Sequence, residues 1–166
     1  MLNSLISQLG RSAFECLTTL TGTSVLPKKI TIAVEGSQPS LKAAEYALEL
    51  ASLAGSAVIA LHVILLPQYI DDVIKSRLRQ ELTVRGEKVL DQTSNMKRGK
   101  DVVFSRRILE TNTSIALTIC NFSEREGADL IILGDRTEVS PVARLMLGSV
   151  AAGVANNASC PLLVVR

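Results

Sequence analysis

Two positions late in the chain could bring backbone N–H groups against a phosphate. Gly134 follows the apolar run 129–133, and Gly148-Ser149 opens a stretch of small residues at helical spacing. Close backbone approach to a phosphate requires glycine where a strand ends or a helix begins, and the helix dipole favours an anion at that end. Ser149 could donate its hydroxyl beside the N–H groups of Ser149 and Val150. The glycines also have a second explanation: Gly148 and Gly153 could be small only to let this helix lie close on a sheet. Both explanations stand on the residues alone.

Other reactive side chains are sparse. His62 is the single histidine and lies inside the apolar run 57–65, where a hydrogen-bonded core or strand-end role is expected. The three cysteines, Cys16, Cys120 and Cys160, fit neither a disulfide framework nor a zinc spacing. Cys160 precedes Pro161 at the start of the last apolar run and reads as structural, with oxidant sensing by an accessible thiol as the alternative. Asp129 stands at the wrong end of its strand to be a catalytic carboxylate. No Gly-Lys-Ser/Thr sequence marks a P-loop, and no triad can be assembled around one histidine. No catalytic residue and no metal ligand are assigned.

The elements that must position these groups follow from composition and periodicity. A chain of 166 residues suffices for one domain with a proper core. Nearly half of it is apolar, yet it holds only three Phe, two Tyr and no Trp. Such a core is built from Ala, Val, Ile and Leu, which suits buried parallel strands under Ala-rich helices. A net charge of +2 is too small to argue for a polyanion. No apolar run reaches the roughly 18 residues of a membrane span, and the first residues lack the pattern of a secretory signal. A cytoplasmic protein without a nucleic-acid partner is expected.

Residues 1–27 form a separate N-terminal extension. Leu2, Leu5, Ile6, Leu9, Ala13, Cys16, Leu17 and Leu20 recur at helical spacing, and a linker ends at Pro27. This helix is expected to pack on its own domain or a sister subunit, or to dock a protein partner. From Lys28 to Arg166 strands alternate with helices. Strands are predicted at 30–34, 57–65, 102–109, 129–133 and 162–165. Helices are predicted from Pro39-Ser40 to about 54, from 71 to about 96, from a cap at Thr113 to about 126, and after Gly148. In the second, Ile74, Leu78 and Leu82 form a stripe that Val89 and Leu90 continue, and its mixed-sign polar side reads as solvated.

Five strands separated by helices imply an α/β fold, a doubly wound and mainly parallel sheet with helices on both faces. Ser105, Arg106 and Arg107 place the third strand at an edge, and the short apolar first and fourth belong in the middle. The order 3-2-1-4-5 satisfies both demands. It puts a topological switch point between strands 1 and 4, with Glu35-Gly36-Ser37 and Gly134-Asp135-Arg136-Thr137 beyond the strand ends, where ligands bind in such sheets. A flavodoxin-like reading lacks its Ser/Thr-rich loop, and a receiver-like reading lacks its acidic cluster.

Four segments resemble the universal stress protein family: AVEGSQPSLKAAEYALELA (33–51), ALHV (60–63), GADLIILG (127–134) and LGSVAAGVANNASCPLLVV (147–165). With the elements between them they span 28–166. The resemblance implies a homodimer joined along the last strand, Leu162–Val165, and in one branch ATP binding through Gly-x2-Gly-x9-Gly-Ser/Thr. Gly134 and Gly148-Ser149 match that loop, whereas Thr137 replaces the middle glycine and ten residues follow it where the family has nine. Thr137 tolerates positive φ poorly and is branched where the loop should approach phosphate. Glu35 stands for the usual Asp near the ribose or adenine, Val63 for the position beside the adenine, and Ala33 and Leu133 for the pocket wall. Arg136 falls where a basic residue faces the phosphates.

The resemblance therefore implies a regulatory homodimer with a degenerate phosphate loop. It would bind ATP or AMP, with Mg2+ if ATP, through Ala33, Glu35, Val63, Leu133, Gly134, Arg136, Thr137, Gly148, Ser149 and Val150. Slow ATP hydrolysis is the most that chemistry would allow, with Glu35 or Asp135 helping to hold the cation. Two alternatives are kept: an interaction module of the same fold whose N-terminal helix docks partners, and a thiol sensor at Cys160.

Overall fold

A computed structural model describes residues 26–135 and 147–166. The expected N-terminal helix, Arg136 and Thr137 fall outside the described residues. The strands are β1 (Lys29–Ala33), β2 (Ala57–Leu65), β3 (Phe104–Thr111), β4 (Leu130–Gly134) and β5 (Leu162–Val165). They form one sheet in the order β3-β2-β1-β4-β5, and every neighbouring pair is parallel. The switch point falls between β1 and β4, as predicted. Relative to the expected bounds, β1 and β4 are displaced by one residue at each end and β3 by two.

Among the described residues, four helices connect and cover the strands: α1 (Gln38–Ala54), α2 (Asp72–Met96), α3 (Ile115–Arg125) and α4 (Ser149–Asn157). Period-two alternation in the strands sorts the core into two layers. Ile30, Ile32, Val58, Ala60 and Ile132 face Ala43, Ala44, Ala47, Leu48 and Ala51 of α1 and Val89 and Leu90 of α2. Ile59, Leu61, Ile131 and Leu133 face Ala116, Ile119 and Phe122 of α3 and Ala151 and Val154 of α4. The Ala-rich face of α1 lets its backbone approach the sheet closely, as the scarcity of aromatic residues requires.

Three expectations are corrected. The stripe of Ile74, Leu78 and Leu82 is not a core face: Ile74 is 61% exposed, and α2 buries only Gly86, Val89, Leu90 and Thr93. A 25-residue helix spans roughly 37 Å, so its first half outruns the strands beneath it. The cap of α3 is Ser114, whose Oγ accepts the Leu117 N–H at 3.3 Å, rather than Thr113. Gly153 is small for a helix and not for the sheet, because a methyl group placed there would lie 2.6 Å from Ala116 Cβ of α3.

The arginines of β3 lie at a sheet edge, and Arg106 also ties that edge to α2. Its guanidinium pairs with Asp91 and Glu87 of α2, and Arg79 of α2 meets Glu110 of β3 at 2.9 Å. These exposed pairs register helix against strand more than they stabilise.

Candidate functional site

The β1–α1 turn is held by its own side chains. Gly36 has φ +93°, and a Cβ there would lie 2.8 Å from Val89 Cγ2, so both conformation and space call for glycine. Ser40 is buried; its Oγ accepts the N–H groups of Gly36 (3.0 Å) and Glu35 (3.4 Å) and donates to the Ser37 carbonyl (3.0 Å). The Glu35 carboxylate accepts the Ser37 N–H at 3.0 Å and the Ser37 hydroxyl, so it is engaged in its own turn. Ser37 in turn caps α1, accepting the Ser40 N–H at 3.3 Å.

Across the switch point, Gly134 ends β4 against the start of α1. A methyl group on it would lie 2.4 Å from the Pro39 carbonyl carbon and 2.5 Å from the Ser40 nitrogen. Helix–strand packing alone thus requires glycine at Gly134. Asp135 follows, nearly buried, with its N–H on the Val165 carbonyl at 2.8 Å. Its carboxylate accepts the Gly148 N–H at 2.8 Å and Arg166 Nε at 3.0 Å. One acidic side chain therefore joins the end of β4, the start of α4 and the end of β5.

Between these two turns lies a cleft of about 220 Å³ on the α3/α4 side of the sheet. Ala33, Leu61, Val63 and Leu133 come from the strands, Ile115 and Ile119 from α3, and Gly148, Ser149, Val150 and Ala151 from the start of α4. Val34, Glu35, Ser40, Gly134 and Asp135 complete its lining. Of the residues proposed from sequence, the fold brings Ala33, Glu35, Val63, Leu133, Gly134, Gly148, Ser149 and Val150 to this one cleft. Arg136 and Thr137 lie outside the described residues. Sequence reasoning missed Ser40 and the α3 pair; it placed Asp135 at the switch point and weighed it as a cation ligand without counting it among the nucleotide-binding residues. The alternation that points Leu133 into the cleft also points Asp135 there, so that residue was legible.

The arrangement offers an apolar wall closed at one end by a helix start and the Ser149 hydroxyl. Among the described residues no cluster of His, Cys, Asp and Glu could hold a metal ion. His62 is structural: its Nδ1 donates to the Val34 carbonyl at 2.7 Å, and its ring lies against Gly86, where a Cβ would be 2.6 Å from Cδ2. Asp129 sits at the opposite end of the sheet, its Oδ2 accepting the N–H groups of Lys28 (2.8 Å) and Lys29 (2.9 Å). Cys120 and Cys160 are both free thiols. Burial pushes both up from the usual thiol range, with the nearby Cys160 adding to the shift at Cys120 and Asp129 to that at Cys160. Neither is activated as a thiolate.

A doubly wound parallel sheet with a cleft at its switch point, apolar inside and closed at one end by the start of α4, defines an α/β domain with one candidate site between β1 and β4. The universal stress protein family model matches residues 27–166, and the chain belongs to that family. The universal stress protein MJ0531 of Methanocaldococcus jannaschii is 33% identical over 148 residues, covering 85% of this chain and 83% of its own. YxiE of Bacillus subtilis is 28% identical over 152 residues, covering 83% and 98%. Solved structures share the fold. UspA from Lactobacillus plantarum superposes with a TM-score of 0.72 at 22% identity, covering 84% of this chain and 97% of its own. A universal stress protein from Archaeoglobus fulgidus in complex with dAMP gives 0.65 at 20%, covering 86% and 100%. Another universal stress protein, in complex with cAMP, gives 0.61 at 17%, covering 85% and 98%.

Proposed function

We propose that this protein is a regulatory adenine-nucleotide-binding protein that acts as a homodimer and not by catalysis. The observation that carries the reading is the cleft itself, in which an apolar wall and a helix start converge at the switch point. Ala33, Val63 and Leu133 would pack on the adenine, and Glu35 would serve the ribose. The Gly134 backbone, Ser149 and Val150 would take phosphate, where the dipole of α4 favours negative charge. Binding of dAMP and cAMP by two family members of the same fold supports this ligand class.

The phosphate loop is degenerate, with Thr137 for glycine and a ten-residue spacer, so Arg136, Thr137 and the residues after them would hold phosphate less closely than a full motif. ATP or AMP is the ligand class, Mg2+ accompanying ATP. Calorimetry with AMP, ATP and ATP–Mg2+ tests the proposal: saturable binding with a thermal shift is expected. Absence of both heat and shift at millimolar nucleotide would overturn it. Purified protein also reports directly, because a chain with no Trp and two Tyr absorbs weakly at 280 nm and bound adenine would dominate at 260 nm.

A further inference from the structure

The edge of β2 stays open where β1 leaves it. The register between the two strands ends at Ala33 and Leu61, and one further bond follows, from the Val34 N–H to the Leu61 carbonyl at 2.9 Å. Because β2 runs on to Leu65, the peptide groups of Val63 face the space that β1 has left. In a continued parallel ladder the Val34 carbonyl would accept the Val63 N–H, and the Gly36 N–H would bind the Val63 carbonyl. Side chains take both groups instead. His62 Nδ1 donates to the Val34 carbonyl at 2.7 Å, and Ser40 Oγ accepts the Gly36 N–H at 3.0 Å. Among the described residues, no backbone bond from β1 or its turn reaches the Val63 N–H or carbonyl, and Val63 lines the cleft.

We propose that His62 is a positioning residue for base recognition: by holding the Val34 carbonyl, it keeps the Val63 peptide open to the edge of a bound base. The inference rests on the adenine-nucleotide reading above. The N–H and carbonyl of one extended residue point the same way and stand side by side. Adenine presents the matching pair on its Watson–Crick edge, an acceptor at N1 beside the donor amine at N6. Hypoxanthine presents the reverse, a donor at N1 beside an acceptor oxygen. The walls built by Ala33, Leu61, Leu133 and Ile119 carry no polar side chain for that edge, so the discrimination falls to the Val63 peptide. Without the imidazole donor, the Val34 carbonyl needs another partner, because Val34 is buried. Its ladder partner is the Val63 N–H, and turning onto it would close that donor to a ligand. Gly86 supplies the room in which the ring of His62 does this, and Ser40 holds the acceptor side open in the same way.

The test compares affinities for AMP and IMP in the wild type, His62→Phe and His62→Asn, with amide exchange at Val63 followed by NMR. Phe fills the space beside Gly86 and removes the donor, whereas Asn returns an N–H close to the Nδ1 position. The wild type should prefer AMP by about tenfold, the discrimination of a two-bond base contact. His62→Phe should lose most of that preference by weakening AMP, and His62→Asn should recover most of it. In the free wild type the Val63 amide should exchange readily and slow when AMP binds; in His62→Phe it should already be slow without ligand. A wild type that binds IMP as tightly as AMP overturns the inference and leaves the nucleotide reading standing. So does a His62→Phe protein with unchanged preference, or a Val63 amide protected in the free wild type. Loss of preference in both variants reduces His62 to packing and overturns the inference as well. If the variants fail to fold, the wild-type preference and the Val63 exchange decide. Failure of both nucleotides to bind the wild type overturns the nucleotide reading, and this inference with it.

Discussion

Thr31 has a fully buried side chain in the middle of β1, and its Oγ1 has no hydrogen-bond partner. It pairs with Ile59 and Ile131 on either side, so the hydroxyl sits among aliphatic neighbours on the α3/α4 face. A buried hydroxyl without a partner forfeits its hydration, and valine has the same shape without that loss. Thr31→Val should stabilise the protein by about 1 kcal/mol, seen as a higher urea midpoint at unchanged slope; a lower midpoint would mean that the hydroxyl is satisfied. The thiols make a second residue-scale prediction. Burial first, then Asp129, raises Cys160, so its thiolate is scarcer at neutral pH than that of an unhindered cysteine. Alkylation of the folded protein should be slow near pH 7 and climb only above the ordinary thiol range of about 8.5. Fast modification near pH 7 would restore the thiol-sensor reading. The sign for stability is the same: a raised thiol favours the native state below the unfolded value and gives that advantage up as pH rises beyond it. At this scale the sequence was only partly legible. Glycine identity announced a crowded backbone at Gly134 but not what crowds it, which proved to be Pro39 and Ser40. Glu35 was read as a ribose acceptor, and only the folded turn reveals that Ser37 competes for its carboxylate.

Helix α4 meets α3 where Gly153 faces Ala116, and β4 meets α1 where Gly134 faces Pro39. The two contacts differ in what can give way. At Gly153 the neighbour is a methyl group on a helix that can shift slightly, whereas at Gly134 it is backbone on both sides. Gly153→Ala should cost about 1–2 kcal/mol and Gly134→Ala about 3 kcal/mol, in the range of overpacked cores. Adding Ala116→Gly should recover part of the first loss and none of the second. Equal costs, or no recovery in the double variant, would contradict this account of the packing. The order of the strands was legible because charge and apolarity sort edge from centre, and β3 with Arg106 and Arg107 does lie outermost. The face of α2 was not legible beyond its second half. Ile74 and Leu78 follow the helical period, but periodicity carries no information on how far the sheet beneath extends. The cleft was legible as a location because a switch point follows from strand order. Its α3 wall, Ile115 and Ile119, emerges only from the packing of that helix on the sheet.

The sheet as a whole ends differently on its two sides. At β3, Arg106 pairs with α2 and the arginines oppose a further strand, but β5 carries only Leu162, Leu163, Val164 and Val165, all half-buried. In its pairing with β4, the Pro161 carbonyl accepts the Ile131 N–H and the Val165 carbonyl accepts the Asp135 N–H. By the alternation of a parallel ladder, the peptide groups of Leu162 and Val164 then point away from β4. Among the described residues nothing pairs with those outward groups; an uncharged apolar edge of this kind is a template for another strand, and a second copy of β5 satisfies it symmetrically. The proposed dimer would thus form through this edge, and because Val165 and Arg166 bond to Asp135, it would adjoin the phosphate end of the cleft. Val164→Pro removes one outward N–H and leaves the ladder to β4 intact, a substitution that edge strands tolerate. Sedimentation should show the wild type as a dimer and Val164→Pro as a monomer that still unfolds cooperatively. A variant that stays dimeric, or a wild type that is monomeric at micromolar concentration, would place the interface elsewhere or remove it.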